Sequence, residues 1–166
     1  MVIYFSIYCF LGYLMESCYI SLFKQKWFSS GLLKGPYIPI YGFGAIILIL
    51  LQENIHISPL LLSIIGGLCM TSLEYLTSLY IEKVFHTQCW NYSHLPFHFQ
   101  GRICLFYTIL WCILSGLFLY HLHPWITSLN LMNDLMTIFS LIYLAFMLKA
   151  FINQLQFSKR NGLDIL

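Results

Sequence analysis

Long apolar runs, each close to the length of a membrane-spanning helix, are the feature that most constrains this chain. Of its 166 residues, 60% are hydrophobic and only 8% are charged, whereas a soluble domain carries about 25% charged residues. An α-helix needs about 20 mostly apolar residues to cross the hydrocarbon core of a bilayer. The sequence therefore predicts an all-α integral membrane protein, folded as a single transmembrane domain over residues 1–166.

The apolar runs predict a bundle of five transmembrane helices. The predicted spans are approximately 2–23, 39–51, 59–81, 103–122 and 131–152. The first run opens with no basic residue, and no small-residue cleavage site follows it, so we interpret it as a retained helix rather than a signal peptide.

A Pro-rich segment, Gly-Pro-Tyr-Ile-Pro-Ile-Tyr-Gly-Phe-Gly at residues 35–44, leads into the short second span. Proline lacks a backbone N–H and pushes the preceding residue toward extended conformations, so we expect a broken or re-entrant start to this helix. Non-helical backbone at membrane depth is tolerated only where it is buried in protein or lines a cavity. Tyr37 and Tyr41 are therefore candidate ligand contacts. The alternative is an interfacial turn whose tyrosines belong to an aromatic belt.

The basic residues predict the orientation of the bundle. In a five-span arrangement all eight Lys and Arg residues fall on one face, and the connections 52–58 and 123–130 contain none. The positive-inside rule makes the basic face cytoplasmic. We therefore expect a multi-pass protein of the cell membrane with its N-terminus outside and its C-terminus in the cytoplasm.

Two acidic residues, Glu16 and Glu74, lie inside the first and third apolar runs. An ionisable side chain at membrane depth is costly and is a functional-site hypothesis by default. Glu16 precedes Lys24 by eight residues and Glu74 precedes Lys83 by nine, which places both roughly 12–14 Å above the inner boundary. The sequence predicts that they share a cytoplasm-facing polar cavity. The alternative is that each acid only hydrogen-bonds a neighbouring helix.

Small and polar residues flank each acid at helical spacing, which predicts that both acids point into the bundle. On the third span this stripe consists of Ser63, Gly67, Thr71, Glu74 and Ser78. On the first span it consists of Ser6, Cys9, Tyr13 and Glu16, with Gly12 beside them.

The segment 82–101 is too aromatic for a disordered linker, and we expect it to pack against the inner mouth of the bundle. It contains Trp-Asn-Tyr-Ser at residues 90–93, and Gly-Arg-Ile-Cys follows at 101–104. Trp90, Tyr92 and Arg102 are candidate site residues. Arg102 could pair with Glu16 or Glu74 or bind an anionic head group; alternatively, it only sets the topology.

The sequence carries few signatures of other functions. It contains no phosphate-binding G-x-x-x-x-G-K-[ST] loop, no G-x-S-x-G and no H-E-x-x-H, and no pattern that indicates a cofactor. His86, Cys89, His94 and His98 match no strong zinc spacing, so we expect no metal. The formal net charge of +2 is too small to indicate a nucleic-acid partner.

The motifs at 35–44, 90–93 and 101–104, together with Glu74-Tyr75 and the Gly12–Glu16 stretch, resemble a family of small bacterial multi-pass membrane proteins. This is the type IV group of ABC-transporter permeases, and the resemblance covers most of residues 8–125. It implies a transport component of the lipid bilayer. Two function classes stay open: transport of a cation, a proton or a basic substrate at the glutamates, or a membrane-embedded enzyme or accessory protein acting on lipid or envelope precursors. Five helices are few for a transporter, so we expect a homodimer or a partner subunit, such as a separate ATPase.

The orientation generates the first testable prediction. Single cysteines introduced at His56 and Ser128 in a cysteine-free background should react with a membrane-impermeant maleimide in intact cells, because both positions lie in connections without basic residues. A cysteine at Gln25 should react only after the membrane is permeabilised. The opposite labelling pattern would place the basic face, and with it the glutamate site, outside the cell.

Overall fold

The structure, a computed structural model, describes residues 1–26 and 29–163 and is mostly helical in that part. Its elements in chain order are α1 (Val2–Lys24), α2 (Pro39–Asn54), α3 (Pro59–Phe85), β1 (His98–Phe99), β2 (Ile103–Cys104), α4 (Leu105–Leu117), a π-helical turn (Phe118–Leu122), α5 (His123–Ser128) and α6 (Asp134–Leu163). The strands form one antiparallel pair that places Phe99 opposite Ile103. The prediction of an all-α membrane bundle is confirmed.

By length and composition, four helical segments within the described residues can cross a membrane. They are Val2–Leu22, Pro59–Phe85, Leu105–Ser128 and Asp134–Arg160. The remaining apolar helix, α2, has 16 residues and a length of about 24 Å, less than the roughly 30 Å of a hydrocarbon core. All five predicted spans therefore correspond to helices, and the second is short, as the sequence indicates.

Local chemistry explains where the helices begin and end. Residues 31–38 are not helical, and α2 starts at Pro39, where proline's fixed φ suits the first turn and its missing N–H costs nothing. Helix α1 ends at Gln25, which has left-handed backbone angles. Helix α6 begins after Asn133, whose side chain accepts a hydrogen bond from the N–H of Met136 at 2.8 Å in the manner of an N-cap.

The fourth span is longer than predicted because the helix continues past a proline. Pro124 supplies no N–H and would clash with the carbonyl one turn earlier in a regular α-helix. The turn that precedes it, Phe118–Leu122, is π-helical, and this wider turn accommodates the proline ring. The chain then continues as α5 to Ser128.

The described chain divides into two compact units. The first comprises Met1–Phe43, Tyr80–Cys89 and Met132–Leu166, and the second comprises Gly44–Leu79 and Trp90–Leu131. In the first unit α1 packs against α6, and Ser6 Oγ donates a hydrogen bond to the carbonyl of Ser140 at 3.5 Å. In the second unit a core cluster consists of Leu48, Leu62, Met70 and Leu119.

Helices α3 and α4 approach closely at glycines in the second unit. A Cβ on Gly67 would lie 2.5 Å from the backbone N and Cα of Cys112, so only glycine fits there. Small residues that let two backbones approach are typical of helix contacts in membranes. The stripe predicted on α3 is buried at Gly67, Thr71, Glu74 and Ser78, which confirms its inward orientation.

Replacing Gly67 with alanine should therefore force α3 and α4 apart. We expect a destabilisation of about 1–3 kcal/mol, the usual cost of overpacking, measured as a lower melting temperature of the detergent-purified protein. Gly44→Ala is the matched control, because the one close contact of its Cβ would be with the movable Sδ of Met70 at 2.8 Å. Both changes gain the same helix propensity, so equal melting temperatures would contradict the proposed backbone contact.

Candidate functional site

Glu16 is held by hydroxyl groups from two other parts of the first unit. Ser30 Oγ donates to Glu16 Oε1 at 2.5 Å, and Tyr41 Oη donates to Oε2 at 3.3 Å. The backbone N–H of Ser30 in turn donates to Ser17 Oγ at 3.0 Å. Ser17 and Ser30 are buried, at 0% and 4% exposure, so the segment after α1 is fixed against the helix at the acid.

Gly12 explains how Tyr41 reaches Glu16. It lies one helical turn before the acid, and a Cβ there would meet the Cβ and ring atoms of Tyr41. The ring of Tyr41 therefore lies directly against the backbone of α1, which brings its hydroxyl to the carboxylate. Gly12, Tyr41 and Glu16 all lie in the first unit.

Tyr37, the other tyrosine of the predicted motif, lies against α6 instead. Its ring packs edge to face on Tyr143 with centroids 5.1 Å apart, and Tyr143 Oη donates to the carbonyl of Pro36 at 2.7 Å. Gly31 and Gly35 have φ values of 99° and 130°, which favour glycine and turn the segment back between these contacts. Tyr37 thus contacts α6, whereas Tyr41 contacts Glu16.

Glu74 is more deeply buried, at 5% exposure, and is held by two aromatic donors of the second unit. Tyr92 Oη donates to Oε1 at 2.8 Å, and Trp111 Nε1 donates to Oε2 at 3.1 Å. One turn away, Thr71 Oγ1 donates to Thr108 Oγ1 at 3.3 Å. Side chains of α3, α4 and the connecting segment therefore form one polar cluster.

Tyr92 is positioned from both its backbone and its ring. Its N–H donates to the carbonyl of Gly101 at 2.7 Å, and its ring stacks on Tyr107 with centroids 4.5 Å apart. Burial, followed by the neighbouring charge of Glu74, raises the pKa of the Tyr92 phenol well above its usual value. Tyr92 therefore stays protonated at neutral pH and acts as a hydrogen-bond donor to the acid.

The other residues of the motifs at 90–93 and 101–104 stabilise the segment that contains Tyr92. Trp90 Nε1 donates to the carbonyl of Arg102 at 3.0 Å, and the N–H of Ser93 donates to Asn91 Oδ1 at 2.9 Å. Gly101 has a φ of 68°, and a Cβ there would lie 2.8 Å from Asn91 Oδ1. Trp90, Asn91 and Ser93 thus each form a hydrogen bond that stabilises the segment around Tyr92.

Arg102 donates from its guanidinium to the side-chain and main-chain oxygens of Gln100 at 3.2 and 3.4 Å. Its pairing with a glutamate stays a prediction.

The sequence did not predict two residues that donate hydrogen bonds to the acids, Ser30 and Trp111. Trp111 carried the only signal, because an indole N–H within an apolar helix needs a buried acceptor.

A cavity of about 270 Å³ lies beside the Glu74 cluster in the second unit. Its lining residues are Thr71, Ser72, Tyr75, Leu76, Phe99 and Ile103. Glu74 is not among them, so this cavity adjoins the cluster without containing the acid. Within the described residues, no group of three or more His, Cys, Asp or Glu side chains is arranged to hold a metal ion.

The donors to both acids are neutral hydroxyl and indole groups, and this decides what the arrangement can do. A carboxylate has about four acceptor positions, so two hydrogen bonds fix its orientation and leave others for a ligand. Neutral donors do not cancel its negative charge. Each carboxylate therefore keeps acceptor positions that these neutral donors do not fill.

The indole contact to Glu74 yields a direct test. Trp111→Phe should lower the unfolding free energy by about 1–3 kcal/mol, because a buried acceptor loses its donor. Trp125→Phe is the matched control, since Trp125 is 59% exposed. The loss should shrink in a Glu74→Leu background, in which the acceptor is gone. A loss of the same size in that background would mean that Trp111 acts only by packing.

Comparison with known proteins places the chain in a family. No curated protein and no solved structure matches the sequence. A family described as "Putative ABC-transporter type IV" matches residues 3–155. The match extends through most of α6, beyond the 8–125 expected from the motifs, and covers nearly the whole chain. The protein therefore belongs to this ABC-transporter type IV family.

Proposed function

We propose that the protein is the membrane-embedded component of a transport system and that Glu16 and Glu74 bind its positively charged cargo or coupling ion. The family and the apolar helices support a transport component in a membrane. The observation that carries the finer proposal is the way both acids are held, each by two neutral side-chain donors. Ionisable groups at membrane depth mark substrate and ion pathways.

The two acids have equivalent surroundings in different units. Each receives one hydroxyl from a connecting segment, Ser30 or Tyr92, and one aromatic donor from a further helix, Tyr41 or Trp111. Their predicted depths also match. The matching depths and the positions of the basic residues in the sequence are the basis of our proposal that the acids face one cytoplasm-facing cavity, with the N-terminus outside.

The shared cavity can be tested by cross-linking. Cysteines placed at 16 and 74 in a cysteine-free background should be joined by a bifunctional thiol reagent with a span of about 10 Å, the length within which charges sense each other at 0.1 M salt. The pair 53 and 74 is the control, since Glu53 is exposed at the end of α2. Failure of the 16–74 pair to react, with both thiols accessible to a monofunctional reagent, would separate the two acids into independent sites.

Energy from ATP would have to come from another polypeptide, because the chain has no phosphate-binding loop motif. We therefore propose a separate ATPase as partner, with a homodimer or another subunit completing the translocation path. Gentle affinity purification of the tagged chain from its native membrane should recover an ATPase. Native mass spectrometry of the same sample would show its stoichiometry and any bound cargo. A bound envelope precursor would favour the enzyme or accessory role over transport.

Binding to the acids can be measured without knowledge of the cargo. Protons, alkali cations, spermidine and guanidinium are screened for stabilisation of the purified wild type, and a ligand at 100 times its Kd stabilises by about 2.7 kcal/mol. Glu16→Gln and Glu74→Gln should each abolish the response to the stabilising species, because glutamine keeps the hydrogen-bond acceptor and removes the charge. Glu53→Gln is the matched control and should respond as the wild type does.

The result distinguishes a binding role from a structural one. If the acids only brace the helices, the glutamine variants will keep the ligand response, and only leucine at these positions will lower the melting temperature strongly. That outcome would overturn the proposed binding role.

A further inference from the structure

A second cavity, of about 460 Å³, lies in the first unit between the later turns of α6 and the segment that joins α1 to α2. Three of its lining residues are cationic, Lys34, Lys149 and Arg160, and three carry amides, Asn153, Gln154 and Gln156. Of the described residues that line it, none is acidic. The site is distinct from the cluster at Glu16, whose contacts involve neither these cations nor these amides.

The cavity has two walls that are fixed to each other. On α6, Lys149, Asn153, Gln156 and Arg160 recur at intervals of three and four residues, so they lie along one helical face. The opposite wall includes Lys34 and Tyr37. It is anchored to α6 by the ring contact between Tyr37 and Tyr143 and by the hydrogen bond from Tyr143 to Pro36.

Along α6 the lining combines aromatic and cationic side chains. Phe146 and Phe157 contribute aromatic walls and are each 57% exposed. Lys149 and Arg160 are eleven residues apart, or about 16 Å along the helix. Helix α6 has 30 residues, a length of about 45 Å, so it extends well beyond a hydrocarbon core of about 30 Å. The cavity lies mostly along the second half of α6, the half in which a helix of this length leaves the hydrocarbon core and reaches the phospholipid head groups.

We propose that this cavity binds an anionic phospholipid. The phosphate of its head group would lie among the cationic side chains, and the head group as a whole would carry net negative charge. Arginine forms paired hydrogen bonds with phosphate oxygens, and lysine adds a compact positive charge. The amides of α6 supply further donors to the oxygens of the head group. Basic pockets at the ends of membrane helices are a known mode of head-group recognition. A soluble phosphate ester presents the same chemistry, and the experiment separates the two sources.

Native mass spectrometry of the full chain in a non-ionic detergent tests this site. The chain is titrated with dioleoyl-phosphatidylglycerol and with dioleoyl-phosphatidylcholine, which share a phosphate but differ in net charge. We expect the anionic lipid to bind at least about tenfold more tightly. Inorganic phosphate is then added as competitor: if it displaces the lipid at millimolar concentration, the site takes free phosphate, and if the lipid stays bound, the site requires the lipid.

Matched triple variants decide whether the cavity is responsible. Lys34→Gln, Lys149→Gln and Arg160→Gln combined should reduce the lipid preference to within about twofold. The control combines Lys26→Gln, Lys83→Gln and Lys159→Gln, which removes the same charge from exposed positions outside the cavity. It should keep the preference. Equal losses in both triples, or no preference in the wild type, would overturn the proposal. Arg160→Gln against Lys159→Gln gives the same comparison with one change each.

This result is independent of the glutamate site. A failure of the lipid preference would leave the proposed binding at Glu16 and Glu74 unaffected. Loss of the cation response in the glutamine variants would likewise leave the lipid site in place. Each proposal is therefore tested by a measurement whose outcome does not affect the other proposal.

Discussion

A carboxylate inside a hydrocarbon environment must obtain its hydrogen bonds from the chain itself, and two of the non-helical connections of this protein supply donors to Glu16 and Glu74. In a hydrocarbon core each unsatisfied polar group costs several kcal/mol. The connection after α1 returns to α1 and brings Ser30 to Glu16. The connection after α3 returns to the helices of the second unit and brings Tyr92 to Glu74. The hydrogen bonds to Glu16 and Glu74 thus explain why the connections after α1 and α3 fold back onto the helices.

The unusual backbone of these connections follows from the same requirement. Gly31, Gly35 and Gly101 have positive φ values, which cost little for glycine and much more for other residues. At Gly101 the tight approach of Asn91 leaves no room for a Cβ. A simple connector would not need such a fixed backbone. At Gly101 the backbone carbonyl accepts a hydrogen bond from the N–H of Tyr92, the residue that donates to Glu74.

Apolar length was enough to predict the helices, and a 3.6-residue period was enough to predict that Glu74 faces inward; the orientation relative to the membrane stays a prediction. The partners of the acids were harder to predict. Tyr41 and Tyr92 were predicted as candidate site residues because they belong to aromatic motifs, but not as partners of the acids, and Ser30 lies outside every motif. Trp111 counts as apolar in any hydrophobicity pattern, although its N–H is what holds Glu74. Tyr37 was grouped with the acids but lies on α6, because ring direction in a segment with two positive-φ glycines depends on backbone angles that composition does not encode.

The choice of donors bears on what each acid does. An arginine partner would both orient and neutralise a carboxylate, and the pair would be complete without a ligand. Hydroxyl and indole groups orient the carboxylate but leave its charge, and a charged residue at the centre of a membrane helix costs about 2.5–3.5 kcal/mol on insertion scales. Protonation removes the charge, and a paired cation offsets part of that cost at the expense of its own desolvation. Release of the ligand then requires another source of energy, such as a change in the access of the site to water or work done by a partner subunit. Two acids that the described residues orient through neutral donors therefore support our proposal of a protein that binds and releases a positive species.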